Sequence, residues 1–371
     1  MKILRKAMPL LLATVLMLTL LSSCSGGNSN YTKEDFDAFF GKLVALEQAL
    51  TIMQWDVETG GAPSGAMEAR GKTMAILEAE WFDMGVSDEM RAYFKFVEAA
   101  EKRGEADEAM LATYRECKSN YDKLMCIPAD EYKAFSELTS TALQKWSEAR
   151  EKSDFSIFAP YLQGIMDYRR KVVDYRAKAG MTYAHPYDAM LDDFEPGMTV
   201  EQLDAFFDEL RAEIVPLLKG ITESPQANSA LSADILSRRV PRSVLENVSA
   251  LLMDTVGYDL ERGAIAESAH PFSTSIGQTD CRITTAYKEA QPFSSFYSVL
   301  HECGHAIYEQ NISGELEGTV LDSGASMAIH ESQSRFLENI VGRSYEFWEG
   351  IYEDFLSVTE GYFDDVSARE L

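Results

Sequence analysis

Apolar residues recur at helical intervals along most of the chain. Phe36, Phe39, Phe40, Leu43, Leu46, Leu50 and Met53 form one stripe, with Thr32 placed to cap its first turn. "GGAPSGA" at 60–66 reads as a loop. Ser87 stands ready to cap another helix, and the pattern carrying Tyr114 and Tyr121 runs on as one long stretch until Pro128. Thr199 with Gln202 three residues later forms a capping box, opening a helix to about residue 220. Residues 327–340, "MAIHESQSRFLENI", place Met327, Ile329, Phe336, Leu337 and Ile340 mostly on one helix face, with no proline to interrupt it. From Ile351 to Leu371 the spacing of Ile351, Phe355, Val358, Tyr362 and Val366 predicts a last helix that exposes Phe355 and Tyr362. The exception is 267–288. In "DCRIT" Asp280, Arg282 and Thr284 alternate with Cys281 and Ile283, as in a half-buried strand. The fold class is all-α with a small β-sheet.

The first residues stand apart from this pattern. "MKILRKAMPLLLATVLMLTLLSSC" has a basic head, an apolar run and then small residues, the layout of a secretory signal over 1–23. Leu21-Ser22-Ser23-Cys24 resembles a bacterial lipobox, which implies lipidation of Cys24 on the extracytoplasmic face of a bacterial membrane. A flexible tether then runs to residue 31. The apolar run, broken by Pro9, Thr14 and Thr19, is short for a span of about 20 residues. The folded domain is expected over 32–371.

The net charge is −26, and losing Lys2, Arg5 and Lys6 with the leader takes it to −29. Nucleic acid is excluded as a partner, because phosphate binding needs a basic footprint. Export permits disulfides, with Cys117 and Cys126 the nearer pair, although a domain of this size does not need one. No Cys spacing makes a zinc site.

Four of the five histidines fall at His270, His301, His305 and His330; His185 is alone and reads as structural. In "VLHECGHAIYE" (299–309), His301 and His305 are i and i+4, one turn apart on one helix face, so both imidazoles are able to aim at one ion. Glu302 stands beside them where a carboxylate reaches a reacting water without being a ligand. Cys303, about 200° round the helix from His301, points to the core. A catalytic zinc needs a third protein ligand. Glu309 lies about 12 Å along the axis from His301, too far for bonds of about 2 Å. The metzincin position, ten residues after His301, is Asn311. The third ligand comes from another element, and on chemistry alone Glu331 and His330 are near equal.

His301-Glu302-Cys303-Gly304-His305, followed by His330-Glu331-Ser332-Gln333-Ser334-Arg335 and then Glu338-Asn339, resembles the paired signature of the carboxypeptidase Taq family of zinc metallocarboxypeptidases. "HPF" (270–272) and "DCRIT" (280–284) match two further motifs in order, and stretches 54–70 and 187–218 are similar to its helical scaffold. The resemblance runs from about residue 35 to the end. It implies a zincin-like helical fold with the sheet beside the cleft. It also implies one divalent metal ion, zinc or the similarly ligated cobalt, held by His301, His305 and Glu331, with Glu302 as general base. His330 becomes a neighbouring site residue. His270, Asp280 and Arg282 become candidates for substrate binding or ligand support, Asp280 orienting a ligand histidine in place of a plain Asp280–Arg282 ion pair. The implied activity is release of C-terminal amino acids from peptides, by a membrane-tethered protein whose relatives suggest a homodimer. Later family motifs are absent before Leu371, so the domain is expected to be incomplete at that end and weak in metal and substrate binding. Two rivals stay open: another zinc peptidase class, since H-E-x-x-H serves several, and a non-catalytic lipoprotein that binds peptide or metal.

Overall fold

The computed structural model describes residues 31–224, 235–236 and 238–371. The leader, Cys24 and residues 25–30 lie outside them. The described residues fall into two units, one ending at Ala38 and the other Phe39–Leu371. In the first, residues 31–38 open helix α1 (Lys33–Glu58). Thr32 Oγ1 accepts from Asp35 N–H at 3.3 Å and Asp35 Oδ2 accepts from Thr32 N–H at 2.9 Å, the reciprocal cap that satisfies two otherwise unpaired donors.

The second unit continues with α2 (Met67–Gly85), α3 (Asp88–Arg103), α4 (Glu108–Met125), α5 (Ala129–Lys152) and α6 (Ala159–Lys178). Ser87 caps α3 through Met90 N–H at 3.1 Å. The helical stretch that ends before Pro128 is made of two helices. Gly104 takes φ 72° at the end of α3, and Asp107 restarts the chain by capping α4 through Met110 N–H at 2.8 Å. Cys117 is buried in α4 and Cys126 follows its last turn, both as free thiols, in keeping with a domain that does not need a disulfide. α5 and α6 pack through Phe135 stacked on Tyr168 at 3.9 Å. After the short α7 (Asp188–Leu191), Thr199 and Gln202 close the expected capping box at the start of α8 (Val200–Thr222). His185 Nδ1 accepts from Tyr187 N–H at 3.1 Å, a local backbone role.

The main core lies between α9 (Arg242–Val256), α10 (Pro292–Gln310), α12 (Tyr345–Val358) and a three-stranded sheet. Strands β1 (Ile265–Glu267), β2 (Ser273–Ser275) and β3 (Cys281–Thr285) order as β1-β3-β2, with β3 parallel to β1 and antiparallel to β2. Cys281 and Ile283 enter the core as the alternation requires, but Thr284 and Thr285 are equally sealed. Thr284 Oγ1 accepts from Phe272 N–H at 2.8 Å, which stitches the turn before β2 onto β3. Ser295 Oγ donates to Ala286 O at 2.8 Å and accepts from Lys288 N–H at 3.0 Å, tying the exit of β3 to the first turn of α10.

Two helical expectations are corrected. Residues 327–340 are not one α-helix. The α-helix α11 (Met327–Arg335) passes into a π-helical turn, Phe336–Val341. Its apolar residues Met327, Ile329, Phe336 and Ile340 are exposed, so their spacing did not mark a buried face. The last helix ends at Val358, where Glu360 and Gly361 take positive φ and turn the chain back. Phe355, expected to be exposed, is fully buried against Phe296, Trp348 and Phe363, and Tyr362 stays exposed. The returning Phe363 supplies the partner that the helical projection lacked.

Candidate metal centre

α10 carries His301, Glu302 and His305; α11 carries His330 and Glu331; the π turn carries Glu338. Gly304, between the two histidines, lets α10 and α11 touch. A Cβ there would stand 2.6 Å from Ser334 Cα and 2.7 Å from Gln333 O, closer than backbone tolerates. At this crossing His301 Nε2 and His305 Nε2 lie 3.6 and 3.4 Å from Glu331 Oε2. One donor atom from each of His301, His305 and Glu331 falls within 4.8 Å of the others, a set of two imidazoles and one carboxylate that suits a catalytic divalent ion. His330, the rival for the third place, does not join that set.

Each of the three side chains is held by a second group. Glu338 Oε2 lies 3.0 Å from His301 Nδ1. Burial raises the Glu338 carboxyl, but hydrogen bonds from Arg343 and His301 outweigh it and hold the group below its usual range. Glu331 is likewise raised by burial and lowered, on balance, by Arg335 and Ser334. Arg335 Nε donates to its Oε1 at 2.7 Å and Ser334 Oγ to its Oε2 at 3.0 Å. His305 Nδ1 faces His330 Nδ1 at 2.5 Å. Burial, then the neighbouring His330 and His301, push the His305 pKa down to about 4, so its ring is neutral near neutral pH.

Glu302 is 5% exposed. Burial, with the Glu331 charge behind it, pushes its pKa up to about 8 in the metal-free protein, against a hydrogen bond with Ser273 that lowers it. Cys303, on the opposite face, is fully buried in the core. The cluster opens on a cavity of about 980 Å³ whose wall includes His270, Ser273, Lys288 and Tyr297.

Of the remaining sequence candidates, His270 lines this cavity, and Asp280 and Arg282 do not. Arg282 Nε and Nη2 each donate to Asp280 at 2.7 Å, and the guanidinium sits 5.5 Å from the Trp55 ring centroid. The carboxylate on the ligand-type histidine is Glu338, so the support role considered for Asp280 is corrected to the ion pair. The strand's polar face is spent on that pair and on stitching the sheet. Glu338 and Arg335 stand in the family signature without a role there, Glu309 enters the sequence reading only as a ligand too far from His301, and Ser273 and Arg343 are not among the sequence candidates. Glu309 had a legible signal, since it falls one helical turn after His305 on the same face.

Residues 35–371 match the family model described as carboxypeptidase Taq (M32) metallopeptidase. The chain is 37% identical over 342 residues to "Carboxypeptidase 1" of Bacillus subtilis (strain 168), covering 91% of this chain and 65% of that relative. It is 31% identical to "Thermostable carboxypeptidase 1" of Pyrococcus furiosus, covering 87% of this chain and 63% of the relative. Against the crystal structure of the M32 carboxypeptidase from Deinococcus radiodurans R1 the TM-score is 0.80 at 30% identity, over 91% of this chain and 65% of that one. The chain thus spans just under two thirds of the length of these relatives. With its two signature segments crossing at one cluster, the chain belongs to the carboxypeptidase Taq (M32) metallopeptidase family.

Proposed function

We propose that the protein is a metal-dependent carboxypeptidase that releases C-terminal amino acids from peptides, with zinc as its metal. The observation that carries this reading is the convergence of His301, His305 and Glu331 beside buried Glu302 on an open cavity. His301 and His305 offer their Nε2 atoms and Glu331 its Oε2 to one ion, while Glu338, His330 and Arg335 keep those donors aimed. A bound divalent cation supplies Lewis acidity toward the scissile carbonyl and toward the attacking water. Glu302 takes a proton from that water and delivers it to the leaving nitrogen. Its raised pKa belongs to the metal-free site, and a cation held next to it acts in the opposite direction. The exopeptidase character rests on the kinship with proteins named carboxypeptidases.

The test is release of the terminal amino acid from an N-terminally blocked dipeptide after chelation and after adding back zinc or cobalt. Activity that returns with metal, and is absent on the C-terminally amidated peptide, supports the reading. Cleavage of the amidated peptide would point to another peptidase class, and zinc binding without hydrolysis to a binding protein.

We also propose attachment to the outer face of a bacterial membrane through lipidated Cys24, on the strength of residues 1–24 alone. Among the described residues no helix is long and apolar enough to cross a membrane. Equal detergent partitioning of wild type and Cys24→Ser would remove this proposal. A homodimer, carried only by the resemblance, is tested by sedimentation equilibrium.

A further inference from the structure

We propose that Glu309 is a positioning residue that acts through His330 to fix the tautomer and orientation of His305, presenting a bare Nε2 to the metal. The inference rests on the reading of His305 as a ligand. Glu309 lies on α10 one turn beyond His305 and is 6% exposed. Its Oε1 accepts from Gly324 N–H at 3.0 Å and stands 2.7 Å from His330 Nε2. An oxygen accepting one N–H is the acceptor toward the imidazole as well, so His330 Nε2 carries the hydrogen.

A neutral imidazole has one N–H, and its other nitrogen accepts. For a neutral His330, as the proposed relay requires, Nδ1 is the acceptor at its 2.5 Å contact and His305 Nδ1 donates. That leaves His305 Nε2 as a lone pair, on the side where Glu331 Oε2 lies 3.4 Å away. Each assignment follows from the one before it, and the series starts at Glu309.

The surroundings are built around this relay. A Cβ on Gly324 would stand 2.5 Å from His330 Cδ2, 2.9 Å from Tyr308 Cε1 and 3.2 Å from Glu309 Oε1, so only glycine lets the loop close here. The Tyr308 ring meets His330 edge-on at 5.4 Å, and its hydroxyl accepts from Ala325 N–H at 3.2 Å. Glu309 Oε2 is buried with no hydrogen-bonding partner among the described residues. A half-satisfied buried carboxylate is costly where an apolar side chain would pack freely, which leaves the Oε1 bonds as the reason for the residue. His301 is served separately by Glu338, so the two imidazoles are oriented by different elements.

The experiment uses metal-free protein labelled with ¹⁵N-histidine, with long-range ¹H–¹⁵N spectra reporting which ring nitrogen carries hydrogen. Zn²⁺ affinity is measured in parallel by competition with a chromophoric chelator. The wild type is expected to show His305 protonated on Nδ1 and His330 on Nε2. Glu309→Ala should average the tautomers of both rings and weaken Zn²⁺ binding about 10–100-fold, the usual cost of losing such outer support. Glu309→Gln, whose carbonyl still accepts both N–H groups, should retain the tautomers and most of the affinity. A wild-type His305 protonated on Nε2 would overturn the inference even if neither variant folds. So would a folded Glu309→Ala with unchanged tautomers and affinity. Assigned tautomers in a wild type that binds no Zn²⁺ would uphold the relay and remove the ligand reading instead.

Discussion

Glu302 shows how one side chain's environment sets two properties at once. Buried beside Glu331, it holds a proton up to about pH 8 in the metal-free fold, whereas an unfolded glutamate releases it near 4.5. Between those values the folded chain binds the extra proton, so metal-free stability falls as pH rises through the window and levels off above it. Glu302→Gln removes that dependence. In urea unfolding of the metal-free proteins, the variant should gain on wild type between pH 5.5 and 8.5 by on the order of a few kcal/mol. Parallel pH trends for the two proteins would mean that Glu302 is not desolvated. With zinc present, the same variant should keep its metal and lose hydrolysis, because the three ligand-type side chains are untouched. Glu331→Ala should instead lose the metal, as read by metal content after gel filtration. The pairing of a carboxylate with two histidines was legible in the motif. The burial that raises its pKa was not, because it depends on what β2 and α11 place against it.

Among the elements, the crossing of α10 and α11 decides whether the cluster exists. Gly304 is the contact point, and Gly304→Ala must push α11 away from α10 by overfilling a backbone contact. Overpacking of this kind costs about 1–3 kcal/mol, and here it should also lower zinc affinity, since Glu331 moves with α11. Gly350, in the interior of α12, has nothing within 4 Å of its would-be Cβ. Gly350→Ala should stabilise by up to about 1 kcal/mol through helix propensity alone, with zinc affinity unchanged. Thermal unfolding and zinc titration of both variants check the pair, and equal effects would remove the crossing argument. Next to this contact the π turn re-aims Glu338 toward His301, the kind of local widening often found at functional sites. A periodicity reading returned a plain helix there, since a π turn changes the register within one hydrophobic pattern without changing its residues.

For the whole molecule the dominant quantity is charge. With 34 basic and 60 acidic side chains, even complete pairing leaves 26 carboxylates without a cation. Individual surface pairs contribute only about 0–1 kcal/mol, so their screening is outweighed by relief of the net repulsion. Raising sodium chloride from about 10 to 150 mM shortens the Debye length from about 30 to 8 Å. The melting temperature, measured at fixed metal occupancy, should therefore rise. A fall would show that ion pairs such as Arg238–Asp365 and Arg242–Glu267 contribute more than the excess charge removes.

The sequence by itself determined the features that depend on neighbours a few residues away. The helix starts at Ser87 and Thr199, the strand alternation of Cys281 and Ile283, and the shared face of His301 and His305 all follow from local periodicity and capping chemistry. The family signature implies Glu331 rather than His330 as the third ligand. Only the tertiary structure decided which distant groups meet. It gave Asp280 to Arg282 and left Glu338 to hold His301. It turned the chain at Gly361 so that Phe363 covers Phe355. It set Glu309 behind His330. Those contacts depend on how helices pack and where loops close, and a one-dimensional pattern of polar and apolar positions does not encode distances between elements far apart in the chain.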